Sequence, residues 1–215
     1  MNHASTTRFC LVRHGETDWN IERRLQGQID TALNDTGRAQ ALRLSRALAH
    51  TGQRFAALYV SDLARAQQTA AAIAQHNGLA AIATPKLRER NFGFFQGMTY
   101  AEAEVRIPDA YRQFKSRDPA YVPGSGESLA VFSQRVHDFF SDTAQRHPGE
   151  TVLIVSHGGV LDIAYRLAGK VPLSRPRDFP IPNAALNWIR HDDGEWRLDC
   201  WADESHLSGA SLDEL

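Results

Sequence analysis

The sequence predicts an α/β fold: a three-layer α/β/α sandwich on a mostly parallel central sheet, with a helical insertion over the carboxyl ends of the strands. Three observations carry this expectation. Apolar runs of strand length recur, each followed by a polar residue and a helix-forming stretch, in "RFCLVRHG", "FAALYVSDLARAQQTAAAIA" and "TVLIVSHGGVLDIAYRLAG". The runs Phe9 to Val12 and Val152 to Val155 are continuous rather than alternating, which suits strands covered by helices on both faces. The chain has 215 residues, 42% of them hydrophobic, enough for one domain with a large core, so residues 1–215 are read as a single domain.

The elements follow in order. The first strand runs through Phe9 to Val12 and delivers Arg13, His14 and Gly15, after which Thr17 and Asp18 read as caps of a turn. Thr36 to His50 is an amphipathic helix with Ala39, Leu42, Ala47 and Leu48 on its apolar side. "FAALYVS" is the second strand, and the helix after it carries Arg65 in its first turns. The interval from about 97 to 150 differs, because its helical patches are split by Pro108, Pro119 and "VPGSGES". Within it Leu129, Phe132, Val136 and Phe139 fall at helical spacing after a Gly/Ser turn. This interval is expected to be an insertion that covers a site. "VLIVS" then delivers His157 and Gly158, and Asp193-Gly194 marks a hairpin between two strand-like runs. The polar tail after Asp203 is expected on the surface.

Charge and composition narrow the function. Lys plus Arg (24) nearly balance Asp plus Glu (25), so no overall field argues for nucleic acid. No run approaches the ~20 apolar residues that a bilayer span needs, so a soluble cytoplasmic protein without nucleic-acid or membrane partners is expected. Cys10 and Cys200 lie far apart in apolar segments and read as buried free thiols.

Of nine histidines, only His14 and His157 follow an apolar strand and directly precede glycine. Both then sit at strand carboxyl ends, the edge where open α/β sheets bind ligands, and parallel strands can join them although 143 positions separate them. Arg65 lies near a helix N-terminus, where the dipole disfavours a cation unless an anion is held there. Read alone, it could equally pair with Asp62 at i, i+3. Arg13, Arg65 and two imidazoles would form a cationic pocket whose natural guest is a phosphoryl group. A metal site is the rival, but the sequence lacks HExxH and CxxC, and Arg13 would repel a cation beside His14.

"LVRHGETDWN", "RRLQGQIDTALNDTGRAQA", "SDLARAQQTA", "LRERNFGFFQG", "GESL" and "VLIVSHGG" together resemble the histidine phosphatase superfamily over nearly the whole chain. The resemblance is greatest to its cofactor-dependent phosphoglycerate mutase branch, and within that to the smaller phosphatases and mutase-like bacterial proteins. It implies His14 as the nucleophile that becomes phosphohistidine, with Arg13, Arg65 and His157 on the phosphoryl oxygens. It implies Glu89 as proton donor, although between Arg88 and Arg90 that residue alone would read as a solvated ion pair. Asn20, Gln26, Gly27 and Gly158 match residues that line the phosphate pocket. Where the family often has "WEG", this chain has "FQG", so Gln96 replaces a second acid and the proton role falls on Glu89.

On this resemblance the chain is expected to hydrolyse small phosphorylated metabolites without a metal. The alternatives are a phosphoglycerate mutase, which would need 2,3-bisphosphoglycerate, and a silent phosphate-binding regulatory module. The insertion looks shorter than in the mutases, and it lacks their adjacent Arg-Arg pair. Its Arg106, Arg112, Lys115 and Arg117 read either as contacts for a second acidic group or as a solvated face. Its Tyr100, Tyr111, Phe114 and Tyr121 read as packing residues.

Overall fold

The computed structural model describes residues 6–208. In chain order they form β1 (Thr7–Arg13), α1 (Asp18–Ile21), α2 (Asp35–His50), β2 (Ala57–Ser61), α3 (Ala64–Asn77) and β3 (Ala81–Thr84). There follow α4 (Tyr100–Arg106), α5 (Pro108–Lys115), α6 (Leu129–Arg146), β4 (Thr151–Ser156), α7 (Gly158–Gly169), β5 (Leu186–Asp192) and β6 (Glu195–Asp203). The strands make one sheet in the order β3-β2-β4-β1-β5-β6. The first four strands run parallel, and the β5–β6 hairpin adds two antiparallel strands at one edge.

The pleat explains the continuous apolar runs. Phe9, Leu11, Val152 and Ile154 share a core with Phe132, Val136 and Phe140 of α6 and Leu161 and Ala164 of α7. Their neighbours Cys10, Val12, Leu153 and Val155 pack with Leu44 and Leu48 of α2 and Ala66, Ala70 and Ile73 of α3. Successive side chains thus serve opposite faces, and both faces are covered. That is the three-layer arrangement the sequence predicts.

Three expectations need correction, and one strand was not anticipated. On α2 the buried face is Gly37, Ala41, Leu44, Ser45 and Leu48, whereas Ala39 is exposed and Leu42 is 44% exposed. Small residues bring this helix close, and the buried Ser45 hydroxyl is satisfied by the Ala72 carbonyl at 2.7 Å, so hydrophobicity alone misplaces the face. The interval 97–150 is divided, because α6 belongs to the main core and only α4, α5 and the loop after them stand apart. That smaller body has its own cluster of Leu25, Phe95 and Ala103, with Phe92, Met98, Tyr111, Phe114 and Tyr121 packed on it. Cys10 is buried but Cys200 is exposed, because it lies on the edge strand β6 where the pairing with β5 shifts register, and Asp199 and Cys200 there are both exposed. The edge strand β3 has no counterpart in the sequence reading, its residues being mostly exposed and alanine-rich.

The hairpin turns at Asp193-Gly194 as expected, with Asp192 opposite Glu195. Exposed polar residues follow Asp203, although Leu207 packs on the second core, and residues 209–215 lie outside the described residues. No helix among the described residues is long and apolar enough to cross a membrane.

Candidate active site

β1 and β4 are neighbours in the middle of the sheet, with Arg13 in register with Ser156. The next residue of each strand is a histidine, and the His14 and His157 rings lie 5.2 Å apart between centroids. Both are buried, His157 completely.

The tautomer of His14 follows from its partners. Its Nδ1 stands 2.7 Å from the Gly15 carbonyl, which can only accept, so Nδ1 carries the proton. Nε2 is left with its lone pair, and Arg65 Nε donates toward it at 3.3 Å. Gly15 is required by close approach: a Cβ there would meet the Gly37 carbonyl oxygen at 2.5 Å. The Gly15 N–H is held by Thr69 Oγ1 of α3 at 3.0 Å.

Arg65 does not pair with Asp62, which instead accepts two 2.7 Å bonds from Arg88. Only 1% exposed, Arg65 donates to the carbonyls of Ile29 at 3.0 Å and Gly27 at 2.8 Å, which fixes its guanidinium against His14. Burial pushes its pKa down to about 10, still well above neutrality. Arg13 donates to the Ile181 carbonyl at 2.7 Å, while its Nε is buried without a partner, as is Nδ1 of His157. His157 Nε2 lies 2.7 Å from Ser61 Oγ. Burial, and then the charges of Arg65 and Arg13, hold His14 well below the usual imidazole range. Burial, and then Arg65 and His14, do the same to His157.

Glu89 is no solvated pair. It is buried, with Oε1 accepting from the Arg90 N–H at 2.8 Å and Oε2 from the Gly159 N–H at 2.9 Å. A Cβ on Gly159 would lie 2.0 Å from Glu89 Oε1, so only glycine admits the carboxylate here.

The remaining predicted residues take different places. Thr17 caps α1 in a reciprocal capping box with Asn20, whose Oδ1 also receives Asn183 Nδ2 at 3.4 Å. Gln26 has both ends of its amide engaged, donating to Thr17 at 2.8 Å and accepting from Thr31 at 2.7 Å. Gly27 serves through its carbonyl to Arg65, and Gly158 packs under the Arg13 guanidinium. Gln96 accepts from the Gln28 N–H at 2.8 Å. Of the insertion cations, Arg112 pairs with Asp109, and Arg117 is tied to Asp162 at 3.1 Å. Among the described residues, no group of three or more His, Cys, Asp or Glu is arranged to hold a metal ion.

The family model described as "Histidine phosphatase superfamily (branch 1)" matches residues 9–204. This chain belongs to the histidine phosphatase superfamily. Among relatives in that superfamily, phosphoglycerate mutase-like protein 4 of Arabidopsis thaliana is 41% identical, over 93% of this chain and 86% of its own. The metal-independent phosphoserine phosphatase of the same plant is 38% identical, over 97% of this chain and 87% of its own. The solved structure of Bacillus stearothermophilus YhfR superposes with a TM-score of 0.86 at 34% identity, covering 94% of this chain and 99% of that one.

Sequence reasoning missed several supports of this candidate site. Ser61 ends β2 and Thr69 sits one turn after Arg65, positions that strand and helix periodicity could have flagged. Gly159 was visible as the second glycine of "SHGG". Asn183, which donates to the His14 carbonyl at 2.8 Å, comes from a loop with no motif of its own.

Proposed function

We propose that this protein hydrolyses small-molecule phosphomonoesters in two steps, through phosphohistidine at Nε2 of His14. One observation carries the reading: the Gly15 carbonyl fixes the proton on Nδ1 and leaves an unprotonated Nε2 facing Arg65 and beside His157. In the first step Nε2 attacks phosphorus, the ester P–O bond breaks, and Glu89 gives its proton to the leaving alkoxide. In the second step Glu89 takes a proton from water as its oxygen attacks phosphorus, and the P–N bond breaks to return neutral His14 and phosphate.

Arg13 and Arg65 hold the charge of the transferring group, helped by the partnerless Arg13 Nε and His157 Nδ1. Such fixed cations can do the electrostatic work that other phosphatases give to metal ions, in keeping with the name of the metal-independent relative. A dianion beside His157 would raise its pKa and favour the imidazolium as a further donor. Asn20 and the Gly158 N–H are assigned to the phosphate as well, whereas the engagements of Gln26 favour a supporting part for it.

The test is to trap the intermediate. Wild-type protein, quenched in alkali during turnover of a labelled phosphomonoester with a chelator present, should carry acid-labile label, and His14→Ala should carry none. Label persisting in that variant, or lost to the chelator, would refute the assignment.

A further inference from the structure

Glu89 lies outside regular structure, in the stretch after a 3₁₀ turn at Pro85–Leu87, and an acid that must meet a leaving oxygen needs its backbone held. One side chain does this from the main core. Arg135 of α6 donates through Nη1 to the carbonyls of Lys86 at 2.8 Å and Arg88 at 3.0 Å, and through Nη2 to that of Glu89 at 3.4 Å. Its guanidinium is itself aimed by Glu127, whose two oxygens receive Nε at 3.0 Å and Nη2 at 2.9 Å. Glu127 also takes the Asn91 N–H at 2.8 Å and returns its own N–H to the Asn91 carbonyl at 2.8 Å. Gln28 also donates to the Glu89 carbonyl, at 3.1 Å. All three guanidinium nitrogens are therefore spent on Glu127 and on the carbonyls of residues 86, 88 and 89.

We infer that Arg135, oriented by Glu127, is the positioning residue of the general acid, setting where the Glu89 carboxyl stands relative to the leaving group. The fork is needed because one planar cation must reach three carbonyls and a carboxylate at once, which a lysine ammonium at the end of a flexible stem does not do. The inference rests on the reading of Glu89 as proton donor, and it predicts a signature that loss of stability would not give. A displaced acid hurts most where the leaving alkoxide is basic, and least for p-nitrophenolate, which departs without help.

The experiment compares kcat on an alkyl phosphomonoester and on p-nitrophenyl phosphate for Glu89→Gln, Arg135→Met, Arg135→Lys and Glu127→Gln. Arg135→Met should lose about tenfold more on the alkyl ester than on p-nitrophenyl phosphate, in the direction of Glu89→Gln. Arg135→Lys should not restore the ratio, and Glu127→Gln should shift it the same way by less. Glu127→Gln keeps the side chain's shape, so it also serves if Arg135→Met fails to fold. Combined with Glu89→Gln, the Arg135 change should not widen the ratio further. Equal losses on both substrates in the Arg135 and Glu127 variants, with Glu89→Gln still discriminating, would overturn the inference alone. Equal losses in Glu89→Gln itself would remove the acid and the inference together.

Discussion

His14 and His157 are held neutral by burial beside two arginines, and that has a consequence in acid. Their folded pKa values are depressed below the unfolded value of about 6.5, so above that pH neither state binds the extra proton and stability is unaffected. Below it the unfolded chain takes up protons that the folded chain refuses, and stability falls. Each such histidine should cost on the order of 1 kcal/mol per pH unit between about pH 6 and 5. Urea unfolding midpoints across that range should therefore fall less steeply in His157→Asn than in wild type. An unchanged slope would mean that the folded protein accepts the proton. The histidines were legible in the sequence because each ends an uninterrupted apolar run, and Glu89 was legible only through the family pattern, since its burial depends on Gly159 from a distant helix. Arg65 shows the same limit, because no spacing rule reveals that Gly27 and Ile29 would take its donors away from Asp62.

At the level of elements, the small body of α4 and α5 is fastened to α7, the helix that follows His157. Arg117, in a left-handed conformation at φ 56°, donates to the Leu173 carbonyl at 2.8 Å and to Asp162. Asp162 is buried and also binds Arg166 at 3.0 Å, so the contact joins the insertion to the body of the protein. Arg117→Ala should cost about 1–3 kcal/mol, raise KM several-fold, and still allow the alkali-trapped phosphoenzyme to form. Denaturation and steady-state kinetics check the first two, and loss of the phosphoenzyme would show that the fastening reaches His14. The helical pattern of α6 was legible, but its membership of the main core was not. Periodicity gives a helix an apolar face without saying which neighbour will cover it. The strand β3 escaped for the opposite reason: at an edge, pairing to β2 alone suffices, and no apolar run is needed.

For the whole molecule, the extent of cover over the candidate site bears on where the phosphoryl group goes. A mutase must shield phosphohistidine from water while a bisphosphorylated intermediate turns round, which calls for an extensive cover. Here the smaller body offers only two short helices, of 7 and 8 residues, and Tyr100 at the start of α4 remains 43% exposed. Incubation with 3-phosphoglycerate and catalytic 2,3-bisphosphoglycerate should thus yield far less 2-phosphoglycerate than the phosphate released from a good phosphomonoester. Faster isomerisation would reverse the order of the two activities and leave the phosphohistidine intact. The architecture itself was legible because two continuous strands and their helices repeat one design. Their lateral order was not, since nothing in β1 names β4 and β5 as its neighbours. That order bears on how the protein comes into being. β1, the earliest described strand to leave the ribosome, must wait unpaired until β4 and β5, both beyond residue 150, have been made. The growing chain therefore carries a largely apolar strand, and the His14 that follows it, without their sheet neighbours until the last third has been made, so the candidate site can assemble only then.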